Sequence, residues 1–127
     1  MLLVLIMRAQ LLTTCCLSML LVLLPAFGGE VDEVERLAPK YGGVVEYRLW
    51  DGTRVDLLTN THAIEADWSY KWAEAIGQSL YYAAVTDKQP GIILLVKSYT
   101  QEASYIYRCQ TVCKQRGITL WLEKVNP

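Results

Sequence analysis

The run Gly91-Ile-Ile-Leu-Leu-Val-Lys97 constrains the fold more than any other stretch of the chain. Five consecutive branched apolar residues with no polar alternation describe a strand, Ile92–Lys97, covered on both faces, as in a parallel sheet flanked by helices. Pro90-Gly91 breaks whatever precedes it. On either side of this run lies a helical pattern. Ser69–Thr86 reads as a helix with Ser69 as its cap and Ala73, Ile76, Leu80 and Ala84 as its packing side. Glu102–Arg116 carries Tyr105, Ile106, Cys109, Val112 and Cys113 along one side and stops at Gly117.

The remaining elements follow from the same periodicities. Val31, Val34, Leu37 and Ala38 recur at helical spacing over residues 30–40, ending near Pro39 and Gly42-Gly43. Gly43–Trp50 and Arg54–Thr59 alternate as strands joined through Asp51-Gly52, a two-residue hairpin signal. A second tight turn at Asn60-Thr61 leads into His62–Trp68, where Glu65 and Asp67 share one face and Ile64, Ala66 and Trp68 the other. Ile118–Val125 is the last strand. The expected fold is α/β, a mixed sheet with helices on both faces in the order α-β-β-β-α-β-α-β, because hairpins need only tight turns while parallel neighbours need crossovers.

Residues 29–127 are long enough for one domain with a modest core. Residues 1–24 hold a single charge, Arg8, and run through Leu17–Leu24 into Pro-Ala-Phe-Gly-Gly, the positive, apolar and small-residue order of a secretory signal. Ala26 and Gly28 fit the small positions before a cut, so residues 1–28 are a signal peptide, or alternatively a membrane anchor with Arg8 snorkelling. Either way the domain is exported, periplasmic or extracellular, and touches a membrane only if the leader stays. Without Arg8, 11 basic residues face 13 acidic ones, which weighs against tight non-specific DNA binding while leaving room for a local basic patch. Cys15 and Cys16 fall in the leader. Cys109 and Cys113, one helical turn apart, fit buried free thiols at least as well as a disulfide, and they are too few for a metal centre.

The chemistry concentrates between Arg54 and Tyr82. Asp56 stands between Val55 and Leu57-Leu58, surroundings in which an acid is uncommon without a partner. Glu65 and Asp67 read either as paired acids or as the wet face of an antiparallel strand. Taking 100° per residue, Lys71, Ala75, Gln78 and Tyr82 fall at about 0°, 40°, 340° and 20°, a single stripe on the helix that follows. Two close carboxylates supply the hard oxygen ligands of Mg²⁺ or Mn²⁺, and a nearby ammonium stabilises charge at a phosphate. Taken one by one, Lys71, Gln78 and Tyr82 read rather as an ordinary helix start and polar flank; their common face directly after an acidic strand brings the functional reading level with that one.

The strand-borne Asp56, the Glu65-Ala66-Asp67 triplet and the helix after them resemble the PD-(D/E)XK nuclease superfamily, and the likeness covers most of residues 29–127. Gln78 and Tyr82 are similar to the Gln-x-x-x-Tyr helix of exonuclease domains in bacterial recombination helicases. The wording KWAEAIGQSLYYA is similar to small exported bacterial proteins of this fold. The resemblance implies a restriction-endonuclease-like fold, with Asp56 and Glu65 as metal ligands and the Ala66 carbonyl as a third. It also implies an acid from the first helix, for which Glu30, Glu33 and Glu35 are all candidates. The departure is Asp67, which stands where the superfamily has Lys; Lys71 would then supply the missing charge. Two functions follow. One is an exported metal-dependent nuclease-like protein that hydrolyses phosphodiester bonds of nucleic acid. The other is a catalytically inactive nuclease-fold domain that binds a protein partner in the envelope.

Other chemistries lack their residues. His62, the one histidine, opens a strand beside a turn and reads as exposed and structural. Neither a Gly-x-Ser-x-Gly elbow nor a glycine-rich phosphate loop occurs. Trp68, Trp72, Tyr81 and Trp121 read as core and strand residues, and Tyr99, Tyr105 and Tyr107 beside Arg108 as a weak candidate sticky face.

Overall fold

A computed structural model describes residues 29–126, and residues 1–28, expected from the sequence to be a signal peptide or membrane anchor, lie outside them. In chain order the elements are α1 (Glu30–Tyr41), β1 (Val44–Arg48), β2 (Arg54–Leu58), β3 (His62–Trp68), a 3₁₀ turn (Ser69–Lys71), α2 (Trp72–Thr86), β4 (Gln89–Val96), α3 (Ala103–Arg116) and β5 (Thr119–Lys124). The strands make one mixed sheet ordered β1-β2-β3-β4-β5. The first three strands are antiparallel neighbours, whereas β4 runs parallel to both β3 and β5. Among the described residues no helix is long and apolar enough to cross a membrane.

The apolar run occupies the covered position its composition demands. Ile93 and Leu95 point to the layer under α1, where Val34 and Leu37 meet Leu57, Ile64 and Ala66. Ile92, Leu94 and Val96 point the other way, against Ala75 of α2 and Ile106, Cys109 and Cys113 of α3. Each of these five strand residues is fully buried, and burying an aliphatic side chain of this size is worth about 1.5–3 kcal/mol. Close packing also explains Gly91, where a Cβ would stand 2.9 Å from the Trp121 ring. Gly43 is required more strictly: its φ is +102°, and a Cβ would lie 2.5 Å from the Leu58 carbonyl oxygen.

Several local expectations are corrected. The first hairpin turns over Leu49–Thr53 rather than a two-residue Asp51-Gly52 loop, since Leu49 N donates to Thr53 O and Gly52 N to Leu49 O. With Gly52 at φ +87° this is the three-residue loop that ends in a left-handed residue. Ser69 does not cap α2, because its hydroxyl donates to Glu102 and the helix proper starts at Trp72. The buried side of α2 is Ala75, Ser79, Tyr82 and Ala83, while Ala73, Leu80 and Ala84 are exposed and Tyr81 leaves the core to bond Asp51. His62 is half-buried rather than free in solvent. Its ring is held between the Thr61 and Thr119 hydroxyls and packs edge-on against Trp121.

Glu102 organises the connection from β4 to α3. One carboxylate oxygen accepts the backbone N–H groups of Lys97 (2.9 Å) and Ser98 (2.8 Å), and the other accepts the Ser69 hydroxyl. Burial opposes its ionisation, but these three donors outweigh it and hold the carboxyl below the ordinary range. Cys109 and Cys113 are buried free thiols with sulfurs 3.8 Å apart.

Candidate functional site

Where the sheet changes from antiparallel to parallel, its hydrogen-bond ladder is interrupted by acids. β2 and β3 pair through Leu57 with Ile64 and Leu58 with Ala63. At the next position the Asp56 side chain takes over, Oδ2 accepting the Ala66 N–H at 2.8 Å. That register, carried one pair further, puts Asp56 beside Glu65. The β1–β2 register puts Glu46 opposite Asp56 on its other side, between the pairs Val45–Leu57 and Tyr47–Val55. Glu46 adopts φ +54°, a left-handed conformation that a non-glycine residue seldom takes inside a strand, and its carboxylate meets Arg54 at 2.8 Å.

Glu65 and Asp67 are not a wet face: they are 4% and 2% exposed, because α2 covers that side of β3. The Glu65 oxygen Oε2 is buried with no hydrogen-bond partner among ordinary donors, and the neighbouring group is the Asp56 carboxyl. Burial, then repulsion from Asp56 and Asp67, drives the Glu65 carboxyl strongly upward. Burial likewise raises Asp56, with repulsion from Glu46 and Asp67 adding to it against the Ala66 N–H. Asp67 is pushed up to about 7, first by burial and then by Glu30.

Lys71 does not join the Asp56–Glu65 pair directly. Its ammonium stands 3.5 Å from Asp67 and 3.6 Å from Glu30. Asp67 first and Glu30 second raise the Lys71 pKa, keeping it charged. The acids therefore divide into two adjoining groups: Asp56 and Glu65 with Glu46 and Arg54 behind them, and Asp67 with Glu30 and Lys71. Of the three first-helix candidates it is Glu30 that reaches the site, whereas Glu33 pairs with Arg36. Tyr82 is 5% exposed; burial and the charges of Glu65 and Asp56 raise its hydroxyl, which has the Gln78 side chain as a partner. Glu30, Glu46, Asp56, Glu65, Gln78 and Tyr82 all line one cleft of about 410 Å³.

Among the described residues no three His, Cys, Asp or Glu side chains already stand as a cation-holding group. The Asp56–Glu65 pair nevertheless fits a divalent ion as two ligands, since a buried, unpartnered carboxylate oxygen beside a second acid is what such an ion would satisfy. Sequence reasoning overlooked Glu46 and Arg54. Their only sequence signal is opposite charge at cross-strand positions of one hairpin, which thousands of solvated hairpins share.

No protein-family model and no solved structure matches the chain significantly. The chain is similar to a protein of Acanthamoeba polyphaga mimivirus whose name describes it as KilA-N domain-containing, with 34% identity over 91 residues. That stretch is 72% of this chain and 35% of the viral protein, so the match spans about a third of the relative's length.

Proposed function

We propose that this protein is an exported, metal-dependent nuclease-like protein of restriction-endonuclease-like fold that hydrolyses phosphodiester bonds of nucleic acid. The observation that carries the reading is the Asp56–Glu65 pair, two carboxyls buried side by side in a cleft, one with an orphaned oxygen. Packing alone has no use for such a pair, since a buried acid without a partner costs stability. Asp56 and Glu65 would hold Mg²⁺ or Mn²⁺. When bound, the ion supplies Lewis-acid polarisation of a phosphate oxygen and a more acidic water.

The chain's own residues do the rest. The Ala66 N–H fixes one oxygen of Asp56 and leaves the other for the ion. Asp67 and Glu30 hold the Lys71 ammonium at the border of the cleft, so Asp67, standing at the superfamily's Lys position, positions a positive charge instead of providing it. Gln78 and Tyr82 line the same cleft with an amide and a hydroxyl, which would orient the phosphate. The mimiviral likeness is compatible with this reading and does not carry it.

A second reading, an inactive nuclease-fold domain that binds an envelope protein, draws on Lys71 being already engaged by two acids. Cleavage of plasmid and single-stranded DNA with Mg²⁺ or Mn²⁺ separates the two. The wild type is expected to cut, and Asp56→Ala and Glu65→Ala to lose the activity. Equal activity in all three proteins would sink the nuclease assignment, and a folded wild type that never cuts leaves the binding reading.

A further inference from the structure

The β1–β2 hairpin and α2 enclose a second groove, of about 420 Å³, one helical turn beyond the acidic cleft. Tyr82 lines the first and Val85 the second, a separation of about 4.5 Å along the helix axis. The two differ in charge. Arg48 and Lys88 line the second groove together with Tyr47 and Trp50, and no acid does. Among the described residues Arg48 makes no ion pair, and Lys88 donates to the Asn60 carbonyl oxygen at 2.7 Å, a contact that leaves its charge uncompensated. Asp87, the nearest acid in the chain, does not line the groove.

The aromatic residues are displayed rather than packed. Trp50 is 87% exposed at the hairpin tip and Tyr47 41% exposed beside it. The tip is nonetheless held in shape, by the Leu49–Thr53 backbone bonds and by Asp51, which accepts from Thr53 and Tyr81. Held out in solvent on this hairpin, the indole adds nothing to the core and, beside a second ring and two cations in one groove, offers a flat apolar face to a partner.

We propose that the groove of Tyr47, Arg48, Trp50 and Lys88 binds single-stranded nucleic acid, stacking bases on the two rings and holding phosphates on the two cations, and leads the strand toward the Asp56–Glu65 cleft. Exposed rings beside cations match an unpaired strand, whose bases present faces that a duplex hides within its stack. The same residues give the local basic patch that a net charge of −1 conceals. This inference rests on the nuclease reading for its direction, but its test does not.

The test is fluorescence anisotropy of the full chain with a labelled oligothymidylate and with a duplex of equal length, in EDTA, over a range of salt. Single strands are expected to bind more tightly than duplex. Trp50→Ala is expected to weaken single-strand binding about tenfold and Trp50→Phe much less. Arg48→Ala and Lys88→Ala should each flatten the log–log salt slope by about 0.7. Trp50 is too exposed for its loss to unfold the protein, and an unchanged melting curve checks this. Equal affinity for duplex, or a Trp50→Ala variant that binds like wild type, overturns the groove even if DNA is cut. Binding sensitive to Trp50 without any cleavage keeps the groove and removes the nuclease.

Discussion

β3 and β4 lie side by side, paired residue to residue, yet they are buried for opposite ends. Glu65 is the partner of Ile92 and Asp67 of Leu94, all four facing the α2 and α3 layer. On β4 that position stabilises, because each apolar side chain leaves water for a dry layer. On β3 the same position destabilises, because two carboxyls leave water, Glu65 for the Asp56 carboxyl and Asp67 for Glu30 and Lys71. Depth alone therefore says nothing about role; the chemistry placed at that depth does.

Exchanging the character of one strand should expose this difference. The largest effect is expected for Glu65→Gln, which keeps the shape and removes the charge of the proposed ligand: the proposed nuclease activity should fall by about a thousandfold, on the order of 4 kcal/mol of transition-state stabilisation. Loss of less than tenfold in a steady-state cleavage assay would remove Glu65 from the site. Next comes Leu94→Ala, expected to lower unfolding free energy by about 2–5 kcal/mol in urea titration. The activity per folded molecule should change little, and a thousandfold loss there would mean that the two strands do not divide the work.

The stability of the acids should run opposite to that of an ordinary salt-bridged carboxylate. Folding raises Asp56, Glu65 and Asp67 above their unfolded values, so their protonated forms are the ones folding favours. That contribution is full below pH about 4 and declines as pH rises, through about 6 for Asp56 and about 7 for Asp67, with Glu65 later still. Glu102 and Glu123 are lowered and act in the reverse sense, losing their contribution only as pH falls below the ordinary carboxylate range. Thermal stability is therefore expected to peak in mildly acid solution and fall from pH 5 to pH 8 when no divalent ion is added. Glu65→Gln should flatten the fall and raise stability at pH 8 by about 1–3 kcal/mol. A wild-type melting temperature that climbs steadily from pH 5 to pH 8 would contradict the burial argument. The smallest effect is assigned to Lys71→Met, about a tenfold loss of cleavage, on the order of 1.4 kcal/mol, because the ammonium stands at the border of the cleft and not on the pair itself.

The element order and the covered central strand were legible in the sequence, since a five-residue apolar run and two helical periodicities admit few arrangements. So was the need of Asp56 for a partner, since the residues next to it in the chain, Val55 and Leu57, are apolar. The depth of Glu65 and Asp67 was not legible. Alternation of acid and apolar residues looks the same whether a strand's second face meets water or a helix, and it is the parallel pairing with β4 that brings α2 across it. Helix α2 misled for a related reason: its small residues lie on every side, so periodicity could not choose between the Ala75–Ser79–Ala83 side and the Ala73–Leu80–Ala84 side. Glu46 was beyond reach because its role depends on a left-handed backbone that no side-chain pattern records.

The carboxylate of Glu102 ties two crossovers into one joint. It grips the start of the loop after β4 with one oxygen and, through Ser69, the turn that carries Lys71 with the other. The ammonium is thus anchored through the end of the sheet that β3 and β4 share. A truncation at Glu102, which bonds none of the site's acids, would slacken the arm that presents Lys71 and cost the site its alignment with every one of its own residues intact.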